Sequence, residues 1–85
     1  SGGALEQILW TALEKNPRVR VVVNAISLET IAEAARCLRQ LPFEEPEIVC
    51  LRADRSKVLG NSHLMLGMNP VYIFAATGGG YHEQE

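Results

Sequence analysis

Apolar residues recur at helical spacing along the first half of the chain. From residue 5 they occupy positions i, i+3, i+4, i+7 and i+8, which predicts an amphipathic helix that ends at Asn16-Pro17. A second stripe of the same period follows Ser27, a residue type that caps helices, and ends before Pro42. Thr30 with Glu33 is an alternative start for this second helix.

Three runs rich in β-branched and aromatic residues predict strands at residues 19–23, 47–53 and 70–76. The first run is nearly continuous in apolar residues, which is typical of a strand covered on both faces. The long connection at residues 54–69 is expected to be functional or disordered, as connections of that length usually are. Helices that alternate with strands indicate an α/β fold with a right-handed β-α-β unit.

The two ends of the chain suggest a piece of a larger domain. Gly2-Gly3 leads directly into a helix, as in a strand-to-helix turn, so we expect a further strand to precede this sequence. The residues after Thr77 are glycine-rich and polar, which predicts a frayed tail.

Composition excludes several classes of function. The formal net charge is −2, whereas nucleic-acid binding needs a concentrated basic surface. No apolar run is long enough to span a membrane, and no secretory signal is visible, so we expect a cytoplasmic protein. Cys37 and Cys50 fall at apolar positions without zinc-ligand spacing, which predicts two reduced, packed thiols and no metal site.

Three segments carry a resemblance to a known family. They are Ser1-Gly2-Gly3 with Leu5-Glu6-Gln7-Ile8-Leu9, then Val22-Val23-Asn24-Ala25 with Ser27-Leu28-Glu29-Thr30, and finally Arg55-Ser56-Lys57, Leu59-Gly60, His63 and Asn69-Pro70-Val71. In this order and spacing they resemble the decarboxylating precorrin methyltransferases of corrin biosynthesis, which methylate carbon 15. The sequence departs from that family at Asn61-Ser62, because the family usually has a second glycine before the histidine.

The resemblance implies a fold and an activity. Residues 1–77 would form the C-terminal half of a Rossmann-like, S-adenosylmethionine-dependent methyltransferase domain, and residues 78–85 a polar, flexible tail. The last strand would run antiparallel between the other two. The full domain would methylate carbon 15 of a precorrin and decarboxylate its acetate side chain in cobalamin biosynthesis. The main cofactor loop would lie outside this chain, so the fragment alone is expected to be inactive, and the full domain would form a homo-oligomer.

The resemblance and the chemistry of the residues together predict which residues bind the cofactor and the substrate. Gly2 and Gly3 are predicted to contact S-adenosylmethionine, since glycine allows a close backbone approach. The residues predicted to bind the tetrapyrrole substrate are Asn24, Arg55, His63 and Asn69. Each has a structural alternative, namely a tight turn for the glycines, a loop cap for Asn24, surface exposure for His63 and a strand-entry turn at Asn69. No catalytic residue is assigned.

The role of one basic cluster is open. Arg52, Arg55 and Lys57 would suit the acetate and propionate groups of a tetrapyrrole, or would simply solvate a strand edge.

Two other functions are also open. The chain could instead be half of a Rossmann-like methyltransferase with another substrate. It could also be a non-catalytic α/β interaction module. In every case we expect it to associate or to expose apolar surface.

Overall fold

The computed structural model describes residues 3–80. They form helices α1 (Ala4–Lys15) and α2 (Leu28–Gln40) and strands β1 (Arg20–Ala25), β2 (Glu47–Leu51), β3 (Asp54–Leu59), β4 (Ser62–Gly67) and β5 (Val71–Thr77). Both predicted helices are confirmed. The strand predicted from residue 19 begins one residue later and continues to Ala25, and the one predicted to end at residue 53 ends at Leu51.

Three strands form a mixed sheet in the order β1-β5-β2. β5 is antiparallel to both neighbours, so β1 and β2 run parallel to each other with α2 as the crossover between them. Phe74 at the centre of β5 pairs with Val23 on one side and with Ile48 on the other. The prediction of an antiparallel last strand inserted between the other two is therefore confirmed.

Local hydrogen bonds fix where the helices begin and end. The Oγ of Ser27 accepts a hydrogen bond from the N–H of Thr30 at 3.1 Å, so Ser27 is the N-cap of α2, as predicted, and Thr30 lies inside the helix. The N-cap of α1 is Gly3, which has no side chain to cap with. At the other end of α1, the Oδ1 of Asn16 accepts from the N–H of Arg18 at 3.0 Å and turns the chain towards β1.

The core lies on one side of the sheet. Its buried residues, from both helices and from β1 and β5, are Leu9, Leu13, Ala25, Ala34, Cys37, Leu38, Phe74 and Ala76. The ion pair between Arg36 Nη1 and Glu6 Oε1, at 3.4 Å, ties α2 to α1 above this core. Both helices thus supply apolar residues to one continuous cluster against the sheet.

The two cysteines differ in environment. Both are free thiols. Cys37 is 1% exposed, and its burial raises the pKa of the thiol, while the nearby Arg36 partly opposes that rise. Cys50 is exposed, so the prediction of two packed thiols is wrong for this residue. The physical reason is its position on β2, an edge strand whose residues are all exposed.

The opposite face of the sheet is open among the described residues. Side chains of β1 alternate between half-buried or buried positions and exposed ones, and Val22 is 61% exposed. The prediction that this strand is covered on both faces is therefore wrong within residues 3–80, where the core lies on one face alone. The register places Val22 beside Ala75 and Asn24 beside Ile73 on the open face.

The long connection at residues 54–69 is a β-hairpin. β3 and β4 pair antiparallel from Asp54↔Gly67 to Leu59↔Ser62 in a sheet of their own. Gly60 has φ 62°, which suits the first position of a two-residue turn with Gly60-Asn61 at its centre. The N–H of Met68 donates to the carbonyl of Ala53 at 3.0 Å and closes the base. Every residue of both strands is exposed.

The fold continues past the boundary predicted at Thr77. The N–H groups of Gly78, Gly79 and Gly80 donate to the carbonyls of Val19, Pro42 and Pro17 at 2.7, 2.9 and 3.0 Å. These three glycines therefore belong to the folded body and not to a tail. Residues 81–85 of the predicted tail lie outside the described residues.

Candidate functional site

The ends of three strands meet at one edge of the mixed sheet. β1 and β2 are parallel, and Ala25 near the end of one and Cys50 near the end of the other both pair with Tyr72. β5 begins at this same edge. We call it the carboxyl edge and define it by Asn24, Ser27, Arg52 and Asn69, all of which are exposed. Ligands of open α/β sheets commonly bind outside the carboxyl ends of the strands.

The start of α1 contributes a second polar feature. A Cβ added to Gly3 would lie 2.5 Å from Oε2 of Glu33, so α1 begins against the first half of α2. Because Gly3 gives no side-chain cap, the first N–H groups of α1 have no partner from that residue. The Glu33 carboxylate beside them adds a negative charge at the start of the helix. Gly2, the other glycine predicted to contact a cofactor, lies outside the described residues.

Three of the predicted substrate-binding residues lie at or near the carboxyl edge. Asn24 is on β1, pairs with Ile73 and faces the open side of the sheet. Asn69 precedes β5, next to Pro70. Arg55 is the second residue of β3, near the base of the hairpin, and pairs with Leu66. Amide and guanidinium groups in this arrangement can donate hydrogen bonds to carboxylates.

His63 lies elsewhere. It pairs with Val58 next to the turn at the tip of the hairpin. Asn69 lies six positions further along the chain, which corresponds to about 20 Å of extended backbone. The fold of a single copy therefore does not bring His63 to the carboxyl edge. His63 was nominated from the family resemblance and the length of the connection, neither of which showed that the connection is a hairpin.

The basic cluster is exposed along the path from β2 into the hairpin. Arg52 follows β2, while Arg55 and Lys57 share one face of the hairpin with Leu64 and Leu66. Within residues 3–80 the ion pairs join Arg18 to Glu44 and Arg36 to Glu6, so none involves this cluster. These cations are available to an acidic ligand.

Sequence reasoning did not identify Glu33 as a neighbour of Gly3. The two residues are 30 positions apart, and no local pattern connects them. Only the packing of α1 against α2 brings them together. By contrast, Ser27 was identifiable, because its capping role depends on its immediate neighbours.

Two grooves lie at the opposite end of the sheet. One, of about 490 Å³, is lined mainly by α2 and the loop before β2, including Arg36, Arg39, Phe43 and Ile48. The other, of about 370 Å³, is lined by Trp10, Leu13, Glu14, Pro17, Pro42 and Gly80. Trp10 is 47% exposed in this second groove.

No group of three or more His, Cys, Asp or Glu side chains within residues 3–80 is arranged to hold a metal ion. None of the helices there has the length and apolar character needed to cross a membrane.

Sequence comparison relates the chain to precorrin methyltransferases. No family model matches it. A probable cobalt-precorrin-6B C(15)-methyltransferase (decarboxylating) of Methanothermobacter thermautotrophicus is 42% identical over 74 residues, which cover 86% of this chain and 38% of that protein. A protein of the same name from Methanobrevibacter smithii is 35% identical over 77 residues, covering 89% and 41%.

The solved structures that resemble this chain are also precorrin enzymes. A precorrin-6y C5,15-methyltransferase of Geobacter metallireducens superposes with a TM-score of 0.73 at 29% identity, covering 91% of this chain and 41% of that one. A precorrin 8w decarboxylase of Methanobacterium thermoautotrophicum gives a TM-score of 0.71 at 40% identity, covering 92% and 41%. The chain thus spans about two fifths of these relatives. Its resemblance to part of the Rossmann-like, decarboxylating precorrin methyltransferases is confirmed in both sequence and fold.

Proposed function

We propose that this chain is part of an S-adenosylmethionine-dependent enzyme that methylates carbon 15 of a precorrin and decarboxylates its acetate side chain. One observation carries the proposal: the same segment matches such proteins both in sequence, at 42% identity over 74 residues, and in fold, at a TM-score of 0.73. Because the chain spans 38–41% of those proteins, the remaining machinery is assigned to sequence outside it.

The substrate side of the site is assigned to the carboxyl edge. A precorrin carries several carboxylates, and Arg55 with the amides of Asn24 and Asn69 supplies donors for them. Arg52 adds a further exposed guanidinium at the same edge. These groups would orient the macrocycle, since alignment of the reacting atoms is the main task in methyl transfer. His63, at the tip of the hairpin, is not assigned to this set of donors.

The carboxylate at the start of α1 is opposite in charge to the sulfonium of the cofactor. S-adenosylmethionine, when bound, supplies an electrophilic methyl group on a sulfonium. Gly3, which has no side chain, lets the Glu33 carboxylate lie against the start of α1, and that charge is of the right sign for a cationic ligand. We assign Gly2 and Gly3 to cofactor binding on this basis. The chain alone is expected to bind weakly, because the main cofactor loop belongs to the part of the domain outside it.

Calorimetric titration with S-adenosylmethionine, which carries the sulfonium charge, tests this proposal. The chain is compared with a version extended upstream by about half a domain. We expect binding by the extended version alone, and weaker binding when it carries Glu33→Gln. Glu29→Gln, a change on the same helix, is the matched control and should leave the affinity unchanged. Absence of binding by the extended chain would contradict the methyltransferase assignment. Tight binding by the short chain would contradict our placement of the cofactor site.

A non-catalytic interaction module remains the second candidate. The observation in its favour is that the β3–β4 hairpin and the open face of the sheet expose apolar side chains. Concentration-dependent association without cofactor binding by the extended chain would favour it. The two functions are compatible, because an oligomeric enzyme also needs such surfaces.

A further inference from the structure

A groove lies at the end of the mixed sheet opposite the carboxyl edge, where β1 begins and β5 ends. Its volume of about 370 Å³ is within the range of about 300–1,000 Å³ that is typical of small-molecule sites. We call it the Trp10 groove. It is lined by Trp10, Leu13, Glu14, Pro17, Pro42 and Gly80.

Backbone hydrogen bonds hold the walls of the Trp10 groove in place. The N–H of Gly80 donates to the carbonyl of Pro17 at 3.0 Å, and the N–H of Gly79 donates to the carbonyl of Pro42 at 2.9 Å. These bonds tie together the chain segments that follow α1, α2 and β5. Leu13, which also lines the groove, is 6% exposed and belongs to the core. The groove is therefore a preformed feature of the fold, as small-molecule sites usually are.

One face of α1 supplies the functional groups of the groove. Trp10, Leu13 and Glu14 are spaced i, i+3 and i+4, so their side chains are neighbours on the helix surface. The indole of Trp10 is 47% exposed, although tryptophan is usually well buried. Glu14, one turn further along, is exposed. An aromatic face and a carboxylate thus lie side by side at an apolar groove.

The Glu14 carboxylate has no counter-ion in the described part of the chain. Within residues 3–80 the ion pairs join Arg18 to Glu44 and Arg36 to Glu6. Arg18 lies next to Gly80 at the groove, but its guanidinium already has the Glu44 carboxylate as a partner at 3.9 Å. The negative charge of Glu14 is consequently available to a ligand in the groove.

We propose that the Trp10 groove binds a small organic cation, namely an alkylammonium with an apolar body. The face of an indole attracts ammonium groups more strongly than the ring of tyrosine or phenylalanine does. The Glu14 carboxylate supplies the opposite charge, and Pro17 and Pro42 supply apolar surface for methyl groups. The groove lies away from the carboxyl edge and from the start of α1, so this inference goes beyond the proposed function and does not depend on it.

Three small ligands of similar shape and different charge test the proposal. They are choline, the neutral alcohol in which a tert-butyl group replaces the trimethylammonium group, and tert-butylacetate, which is an anion. Trp10 is the single tryptophan of the chain, so its fluorescence reports directly on the groove. At constant ionic strength we expect choline to bind at least about threefold more tightly than the alcohol, and the anion to bind most weakly. Equal affinities for choline and the alcohol, or no response to choline, would overturn the proposal.

A charge-neutralising variant assigns the selectivity to Glu14. Glu14→Gln keeps the size of the side chain, and it should weaken choline binding by about twofold or more while leaving the alcohol unaffected. Glu29→Gln makes the same change of charge in the first turn of α2, whereas the groove lies beyond the last turn of that helix, so it is the matched control. Equal weakening by both variants would attribute the selectivity to net charge and contradict a site at Trp10.

Replacement of the indole tests its part in the selectivity. Trp10→Leu removes the aromatic face, so we expect it to reduce the preference for choline over the alcohol, followed by amide chemical shifts around the groove because the fluorophore is lost. A preference equal to that of the wild type would contradict the role of Trp10. Glu14→Gln changes an exposed side chain and keeps the proposal testable even if Trp10→Leu fails to fold.

Discussion

Gly78 packs so closely against the segment before β1 that a side chain has no room. A Cβ there would collide with the carbonyl oxygen of Pro17 and would lie 2.9 Å from Cδ2 of Leu13. The obstacle is backbone, which cannot rotate away as a flexible side chain would. We therefore expect Gly78→Ala to lower the free energy of unfolding by about 1–3 kcal/mol in urea denaturation, as overpacking does.

Gly67 provides the control for this prediction. A Cβ at Gly67 would be 3.5 Å from Oδ1 of Asp54, which is ordinary contact. Gly67→Ala should therefore change the free energy of unfolding by no more than about 0.5 kcal/mol. If both variants lose the same stability, the collision at Pro17 is not the cause.

Cys37 gives the protein a dependence on alkaline pH. Burial raises the pKa of its thiol above the ordinary value for cysteine, so the neutral form is favoured in the folded state. A pKa raised on folding contributes stability that is present below the unfolded pKa and is lost as the pH rises through the folded one. We expect the free energy of unfolding to fall above pH 9, and to fall less steeply there in Cys37→Ala.

Cys50→Ser separates this effect from general alkaline destabilisation. Cys50 is exposed, so its replacement should leave the steep loss above pH 9 intact. Denaturation in urea at pH 8 and pH 10 measures both variants. A parallel decline in wild type and Cys37→Ala would show that the buried thiol does not contribute.

The helices and the parallel strands were predictable element by element, whereas the hairpin was not. Apolar spacing and the caps at Ser27 and Pro42 are local signals, and they placed α1 and α2 correctly. In β3 and β4, basic residues on one strand pair with leucines on the other, so neither strand has the simple alternation of a half-buried strand. The Gly60-Asn61 pair was the available signal, since Gly-Asn between two short runs is typical of a hairpin turn.

Gly60 allows the hairpin to be tested as an element. Its φ of 62° is one that residues with a Cβ rarely adopt. We expect Gly60→Ala to lower amide protection from hydrogen exchange in β3 and β4, at a cost of about 1–2 kcal/mol locally. Protection of β1 and β5 should be unchanged, because the hairpin is not part of the core cluster.

Gly60→Asn is the matched variant, since asparagine tolerates this conformation better than alanine. Its loss of protection should be the smaller of the two. A loss that spreads to the mixed sheet in either variant would mean that hairpin and body unfold together.

At the scale of the whole molecule, the sequence indicated the edge of the sheet that holds the candidate site, but not all of its members. Asn24 lies next to the last residue of β1 and Asn69 precedes β5, and strand order brings such positions together. The central place of β5 came from the family resemblance, because no local pattern encodes which strands are neighbours. Glu33 next to Gly3 and His63 at a hairpin tip depend on tertiary packing, which apolar periodicity does not report.

The open face of the sheet is the feature least typical of a self-contained fold. Dye binding tests whether its apolar side chains form one continuous surface. Val22 and Leu51 are 61% and 55% exposed there, and their neighbours across the register are also apolar. Contiguous apolar surface of this kind binds hydrophobic dyes and partner proteins. We expect the chain to enhance anilinonaphthalene sulfonate fluorescence, and Val22→Lys with Leu51→Lys to remove about half of that enhancement.

The double variant should keep the free energy of unfolding of the wild type, because neither side chain is buried in the fold. Ile8→Lys with Leu28→Lys is the matched control, since these side chains are similarly exposed but lie on the helices. If the control reduces the fluorescence equally, the dye reports scattered apolar residues. If only the sheet variant reduces it, the open face is one continuous surface. That result would identify the open face as a surface suited to contact with further protein.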